Sequence, residues 1–273
     1  MTTDVDGKVS TAVSRDGTEI GYFTHGEGPP LVLVHGVLGD HTRWDVLRPQ
    51  LEPHVTVHAV DRRGRGASGD GPNYAVEREF EDIAAVVDEV AATSGTTVDV
   101  YGHSGGASFA LGAATLTSNV GRLVLYEPAL EPKRLLSDGL LERLDALLAA
   151  DDPDAVVETF CREVLHMDDE QIGIYRAQPS WSARVAAAHT LPRELRVPPE
   201  ELFDPRRAAT VTAPTLLLEG SETPDGFKSS MRTIADTLAD GRVAVLDGQA
   251  HSADVLAPDL VTEKVLGFLR EQS

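Results

Sequence analysis

The sequence predicts an α/β fold, a doubly wound and mainly parallel sheet of eight strands with an inserted all-helical cap. Three observations carry this. Short continuous runs such as Leu31-Val-Leu-Val-His35, Arg122-Leu-Val-Leu-Tyr126 and Ala213-Pro-Thr-Leu-Leu-Leu218 have the β-branched and leucine content of strands buried on both faces. Amphipathic helical stretches alternate with those runs, so both faces are covered. From about Leu130 to Pro205 the strand-like runs stop, and leucine- and alanine-rich pieces take their place. With 273 residues the chain can bury one large core. We expect that core over 1–129 and 206–273, with the cap over 130–205.

In chain order, Val9–Val13 and Glu19–Phe23 read as an antiparallel hairpin joined at Arg15-Asp16-Gly17. The strand Leu31–His35 ends in the loop His35-Gly-Val-Leu-Gly-Asp40. The strand His54–Asp61 runs into Arg62-Arg-Gly-Arg-Gly-Ala-Ser-Gly69, whose glycines at 64, 66 and 69 spell G-x-G-x-x-G. A dinucleotide site needs a helix to open there, whereas Asp70-Gly-Pro-Asn73 breaks the chain, which argues against one. Phe80, Ile83, Ala84, Val87 and Val90 recur at helical spacing. In the cap, 135–150, 153–166 and 179–190 read as helices; its Trp181, His166 and His189 suit packing or surface better than substrate contact. Beyond it we expect a helix at Phe227–Leu238, a strand at Arg242–Leu246, a loop through His251, and a helix from Pro258, where proline suits the first turn.

The stretch that organises the rest is Val98-Asp-Val-Tyr-Gly-His-Ser-Gly-Gly-Ala107. A strand enters Gly102-His-Ser-Gly-Gly106 and a helix-forming run leaves it, which is the context a G-x-S-x-G nucleophile elbow requires. The turn is tight enough to strain its middle residue, and glycines two positions to either side let the chain pass itself. Ser104 then stands at a helix N-terminus, whose free N–H groups and dipole favour a developing negative charge. His35, Asp61, Ser104, Glu127, Gly220 and His251 all fall at carboxyl ends of strands, where sites form in such sheets.

With these motifs in their order, the chain resembles the α/β-hydrolase superfamily over essentially everything outside the cap. The Asp61 loop resembles the D-x-R-G-x-G-x-S stretch common in that superfamily. The resemblance implies Ser104 as nucleophile, His251 as general base, and the Val37 and Gly105 amides as the oxyanion hole. It implies less about the acid. Members usually carry an aspartate three residues after the glycine matching Gly220, and Thr223 stands there. Glu127 lies where haloalkane dehalogenases and coelenterazine luciferases recruit a glutamate; Glu222, one position before Thr223, and Asp225 are the other candidates. Serine rather than aspartate at 104 separates the chain from the dehalogenases and epoxide hydrolases. The expected activity is hydrolysis of a small to medium, largely apolar carboxylic ester through an acyl-enzyme, with no metal or organic cofactor. Lactone or thioester cleavage and cofactor-free perhydrolysis would use the same residues, and the missing aspartate leaves room for a non-hydrolytic ligand-binding member.

Composition limits partners and place. The net charge is −20, so nucleic acid and anionic membrane are disfavoured as partners. There is no apolar run of membrane-spanning length and no signal-like N-terminus, which points to a cytoplasmic protein, monomeric or homodimeric. The lone Cys161 cannot form an internal disulfide and reads as a buried structural thiol. Only four of the 24 basic residues are lysine, the balance of a surface that stays hydrated in concentrated salt. If the charge is a salt adaptation, screening relieves self-repulsion and the melting temperature climbs steadily into molar KCl; a flat response above about 0.2 M removes the idea.

Overall fold

The computed structural model describes residues 7–130, 136–178 and 180–271. Eight strands form one sheet: β1 Lys8–Val13, β2 Glu19–His25, β3 Pro30–Val34, β4 Thr56–Val60, β5 Val98–His103, β6 Val120–Tyr126, β7 Thr215–Gly220 and β8 Gly241–Leu246. Their order is β1-β2-β4-β3-β5-β6-β7-β8. Antiparallel pairing is confined to β1 with β2 and β2 with β4; the other five pairings are parallel. The hairpin forms around Gly17, as the Arg15-Asp-Gly17 turn predicts.

The apolar runs are continuous because each face of the sheet has its own core. Val32, Val34, Val100 and Leu123 pack one way, with Ile83, Val87 and Ala110 of the helices Val76–Ser94 and Gly105–Ala114. Leu31, Leu33, Tyr101 and Val124 pack the other way, with Trp44 and with Val261 and Val265 of the helix Pro258–Leu269. Burial of this many aliphatic side chains at about 25 cal/mol per Å² is the main stabilising contribution.

Between β6 and β7 the described chain is helical, at Leu140–Ala149, Pro153–Glu163, Asp169–Arg176, Ser180–Ala186 and Leu191–Leu195, with single turns at Pro199–Leu202 and Pro205–Ala208. The expected 135–150 and 179–190 pieces begin in or next to residues outside the described ones. Asp169–Arg176 was legible but unread: Asp168 and Gln171 form a capping box. These helices hold their own core of Leu144, Val156, Phe160, Trp181 and Leu191, which also takes in Leu38 of the loop after β3. Trp181 donates its indole N–H to Asp154 at 2.8 Å, and His189 is exposed.

The Arg62-Arg-Gly-Arg65 run is buried, which its charge alone would not suggest. Arg62 donates to both oxygens of Glu79, at 3.0 and 2.7 Å, to Glu194 at 2.8 Å and to the Gly36 carbonyl at 3.1 Å. Arg65 donates to the other oxygen of Glu194 and to Thr190 at 2.7 Å. Arg63 forks onto Asp82 at 2.6 and 2.7 Å. One carboxylate from the helical insertion is thus shared by two buried arginines of the loop after β4.

Burial alone would raise the Glu194 carboxyl, yet Arg62 and Arg65 outweigh it and hold it at about 2. A carboxyl lowered in the fold adds stability that is complete above its unfolded pKa and lost as pH falls through the folded one, here from about 4.5 towards 2. Glu194→Ala leaves both cations short of a partner and should cost about 3–5 kcal/mol in urea unfolding at pH 7. A loss below about 1 kcal/mol, the worth of a surface pair, would contradict the burial.

Candidate active site

Ser104 sits between β5 and the helix Gly105–Ala114 with φ 56° and ψ −126°, a strained conformation for a residue with a Cβ. The strain follows from how tightly the chain folds back. A Cβ on Gly102 would stand 2.6 Å from Ala107 Cα, and one on Gly106 would stand 2.3 Å from the Val34 carbonyl oxygen. Both positions therefore require glycine, for the spatial reason the motif implies. The Ser104 N–H donates to the Tyr126 carbonyl at 2.9 Å, and the Ser104 carbonyl accepts from Ala107 at 2.9 Å and Ala129 at 3.3 Å.

The loop after β3 passes beside this turn. A Cβ on Gly36 would lie 3.0 Å from Ser104 Cβ and 3.5 Å from its Oγ, and one on Gly105 would lie 3.8 Å from Val37 Cγ1. Gly36 thus adjoins Ser104, and the Val37 side chain lies beside Gly105. The first N–H groups of a helix have no acceptor within it, so Gly105 offers a donor here.

His251 and Glu127 meet. His251 Nδ1 is 2.7 Å from Glu127 Oε2. Since a carboxylate only accepts, Nδ1 carries the proton and Nε2 is the acceptor nitrogen of the neutral ring. Glu127 is fully buried, at φ 45°, directly after β6. Its other oxygen accepts from the Gly220 N–H at 2.9 Å and from the Thr223 hydroxyl. Burial pushes the Glu127 carboxyl up, but His251, Thr223 and Gly220 together hold it below its ordinary value.

Of the three carboxylates left open by the sequence, Glu127 is the one on His251. Glu222 is exposed and accepts from Ser221 Oγ at 3.1 Å, and Asp225 is exposed at the start of the helix Asp225–Thr237. The unexpected threonine has a physical part in this arrangement. Thr223 is buried, and in place of a second carboxylate it gives Glu127 a hydrogen-bond donor.

Two further residues hold the His251 loop, and sequence reading singled out neither. Tyr126, the last residue of β6, donates its hydroxyl to the Ala250 carbonyl and accepts from the Ala253 N–H at 3.0 Å. His103, beside Ser104, has Nε2 2.9 Å from the His251 carbonyl oxygen, and its ring centroid lies 4.7 Å from that of His251. A carbonyl only accepts, so His103 Nε2 is protonated; burial, with Arg43 and His251 nearby, keeps the ring neutral, well below the usual histidine range. Position next to Ser104 was the one available signal for His103. For Tyr126 there was none.

The neighbouring loop after β4 is structural in the same way. Asp61 accepts from the His41 N–H at 2.7 Å, His41 Nδ1 at 2.9 Å and the Ala67 N–H at 2.8 Å. Asp40, His41 and Asp61 have donor atoms within 4.8 Å of one another, among the described residues. Those hydrogen bonds engage both Asp61 oxygens and the near ring nitrogen, so the group is a hydrogen-bonded knot rather than a vacant ligand set. Residues 61–75 open no helix, consistent with reading the glycine run as no dinucleotide cradle. A cavity of about 220 Å³ lies between this loop and the insertion, lined by Asp40, Arg65, Ser68, Ala183 and Ala187 among others.

Comparison with known proteins agrees with this fold. A family model described as the alpha/beta hydrolase family matches residues 31–264. The solved structure of an alpha/beta hydrolase from Sphaerobacter thermophilus is 34% identical, covers 95% of this chain and 100% of its own, and superposes with a TM-score of 0.78. A thermophilic esterase of Thermogutta terrifontis shares the fold with a TM-score of 0.73 at 22% identity, over 97% of this chain and 98% of its own. Among curated relatives, the (E)-2-((N-methylformamido)methylene)succinate hydrolase of Acinetobacter baylyi is 23% identical over 91% of this chain and 93% of its own. Among the described residues, no helix is long and apolar enough to cross a membrane.

Thr223→Val tests the support given to Glu127. Without the hydroxyl, burial gains on the remaining hydrogen bonds and the carboxyl rises. The stability that a lowered carboxyl contributes, present above its unfolded pKa and lost as pH falls through the folded one, should then disappear at a higher pH. Urea unfolding from pH 3 to 7 should show the acid limb of Thr223→Val displaced upwards, with a loss at pH 7 of about 1–2 kcal/mol. Superimposable limbs would deny Thr223 that part.

Proposed function

Since the chain belongs to the alpha/beta hydrolase family, we propose that it is a serine hydrolase cleaving a small to medium, largely apolar carboxylic ester through an acyl-enzyme. Ser104 is the nucleophile, His251 the general base, Glu127 the acid, and the Val37 and Gly105 amides the oxyanion hole. The observation that carries the reading is the 2.7 Å contact between His251 Nδ1 and buried Glu127. A serine hydroxyl is a poor nucleophile until an imidazole takes its proton, and the imidazole needs a carboxylate to fix its tautomer and stabilise its cation.

The steps follow from these residues. His251 Nε2 accepts the Ser104 proton as Oγ attacks the acyl carbon. The two amides meet the oxyanion, each donor contributing about 3 kcal/mol to the barrier reduction. His251 then passes the proton to the leaving oxygen as the C–O bond breaks, and a water deprotonated by the same nitrogen releases the acid. The 130–205 segment serves as a lid over the substrate. Thr223 suggests a non-hydrolytic member of the fold as an alternative; the contact of Glu127 with His251 supports the hydrolase reading instead.

A second reading has its own support. The Acinetobacter baylyi relative is named for a substrate bearing a formamido group, and the same steps cleave a C–N acyl bond when His251 protonates a leaving nitrogen. Rates on matched nitrophenyl acetate and nitroanilide acetate decide between the two; an ester-to-amide rate ratio below the intrinsic reactivity difference favours the amide, and one above it the ester.

Two experiments test the proposal. Nitrophenyl acetate and butyrate should be hydrolysed and a fluorophosphonate should label Ser104; no turnover at low or molar salt, with no label, would sink the reading. Glu127→Gln should keep the fold and KM but lower kcat by about a thousandfold or more, because a neutral amide neither stabilises the imidazolium nor enforces its tautomer. Glu222→Gln should be mild. The reverse pattern would transfer the acid to Glu222.

A further inference from the structure

We propose that Arg184 is a carboxylate-binding group of the substrate chamber, so that the acyl compound taken by this site has an apolar body ending in one carboxylate. The substrate part of this inference rests on the hydrolase reading; the anion site does not.

The first observation is an unmatched charge. Among the described residues, four arginines whose side chains are no more than 9% exposed are each met by a carboxylate: Arg62 by Glu79 and Glu194, Arg63 by Asp82, Arg65 by Glu194, and Arg43 by Asp254 at 2.7 Å. Arg184 is half-buried, its Nε is shut off from water without a hydrogen-bond partner, and no carboxylate of the described residues stands in ion-pair contact with it. Its guanidinium lies 5.0 Å over the Tyr175 ring. The charged groups that reach it are Arg43, which opposes it, and Asp40. Asp40 is itself engaged by the N–H and hydroxyl of Thr42. Burial and Arg43 lower the Arg184 pKa, and the guanidinium, still charged, gains from an incoming anion.

The second observation is position. The helix Ser180–Ala186 packs against the turn His41–Trp44 that carries Arg43. Arg43 in turn acts on His103, which holds the His251 carbonyl, and pairs with Asp254 just beyond that histidine. Tyr175 and Val37 pack against one apolar cluster of the insertion, and Val37 is the neighbour of Gly105. The helix that carries the unmatched guanidinium thus packs against the turn after β3, and Tyr175 beneath that guanidinium packs against the apolar cluster that Val37 also joins.

The third is chemistry. A guanidinium presents parallel N–H groups that match a carboxylate fork, and in a partly desolvated site such a pair is worth tenfold to a hundredfold in binding. One unmatched positive charge balances one negative charge. The apolar cluster and Tyr175 suit an organic carboxylate better than a hydrated inorganic anion. With a net charge of −20 on the protein, attraction from afar cannot recruit such a substrate, so recognition falls to a local cation.

The test compares esters that differ in the carboxylate alone. Monomethyl glutarate and monomethyl adipate are set against methyl pentanoate and methyl hexanoate in a pH-stat. Wild type should favour a half-ester in kcat/KM by tenfold or more, and Arg184→Gln should cut that preference ratio by about 10- to 100-fold, with Arg184→Lys between the two. No preference in wild type, or an unchanged ratio in Arg184→Gln, overturns the proposal. A binding arm separates this from the hydrolase reading: glutarate should raise the melting temperature of Ser104→Ala protein saturably, inorganic phosphate should not, and added Arg184→Gln should abolish the effect. If no ester is turned over but glutarate binds through Arg184, the anion site stands and the hydrolase reading fails; if glutarate does not bind, or phosphate matches it, the anion site fails. Should Arg184→Gln not fold, Arg184→Lys and glutarate binding to otherwise intact protein decide.

Discussion

The rim of this protein depends on one close approach, that of the helix Gly105–Ala114 to the end of β3. At Gly106 there is no room even for a methyl group before the Val34 and His35 carbonyls, and at Gly102 none before Ala107. That approach fixes where Ser104 must stand and accounts for its positive φ. Gly36, in the loop after β3, likewise adjoins Ser104. A single steric constraint therefore sets Ser104 against the loop after β3 before any side chain takes part; in the proposed mechanism this is the preorganisation that acyl chemistry uses.

The sheet and the nucleophile turn were legible because their signals are local. A strand buried on both faces reads as an unbroken apolar run, and a turn with no space for Cβ reads as glycine. The carboxylate was not legible in that way. Glu127 and Glu222 both follow apolar strands, and choosing between them requires knowing that the Thr223 hydroxyl points at Glu127 across β6 and β7. No pattern within either strand encodes that contact. The departure at Thr223, which looked like a missing part, reflects a donor standing where an acceptor was expected.

The buried arginines were illegible for a related reason. Arg62, Arg63 and Arg65 have partners 17 to 132 positions away in sequence, so composition reads them as surface charge. Their burial is tolerable because each ion finds several hydrogen bonds, and such networks specify arrangement more than they add stability. Arg184 stands out only against that background, since an unmatched cation is conspicuous where every comparable one is matched.

The placement of Glu127 also bears on how freely the chain can vary. Ser104 and Glu127 flank one helix and the strand that follows it, so both lie upstream of the long helical excursion between β6 and β7. The excursion separates only His251 and the supporting Thr223 from them. Lengthening, shortening or replacing those helices would leave the chain between Ser104 and Glu127 untouched. On the proposed function, substrate range and triad geometry would be inherited through different segments, and the loop after β7 would be left to drift wherever it keeps the threonine.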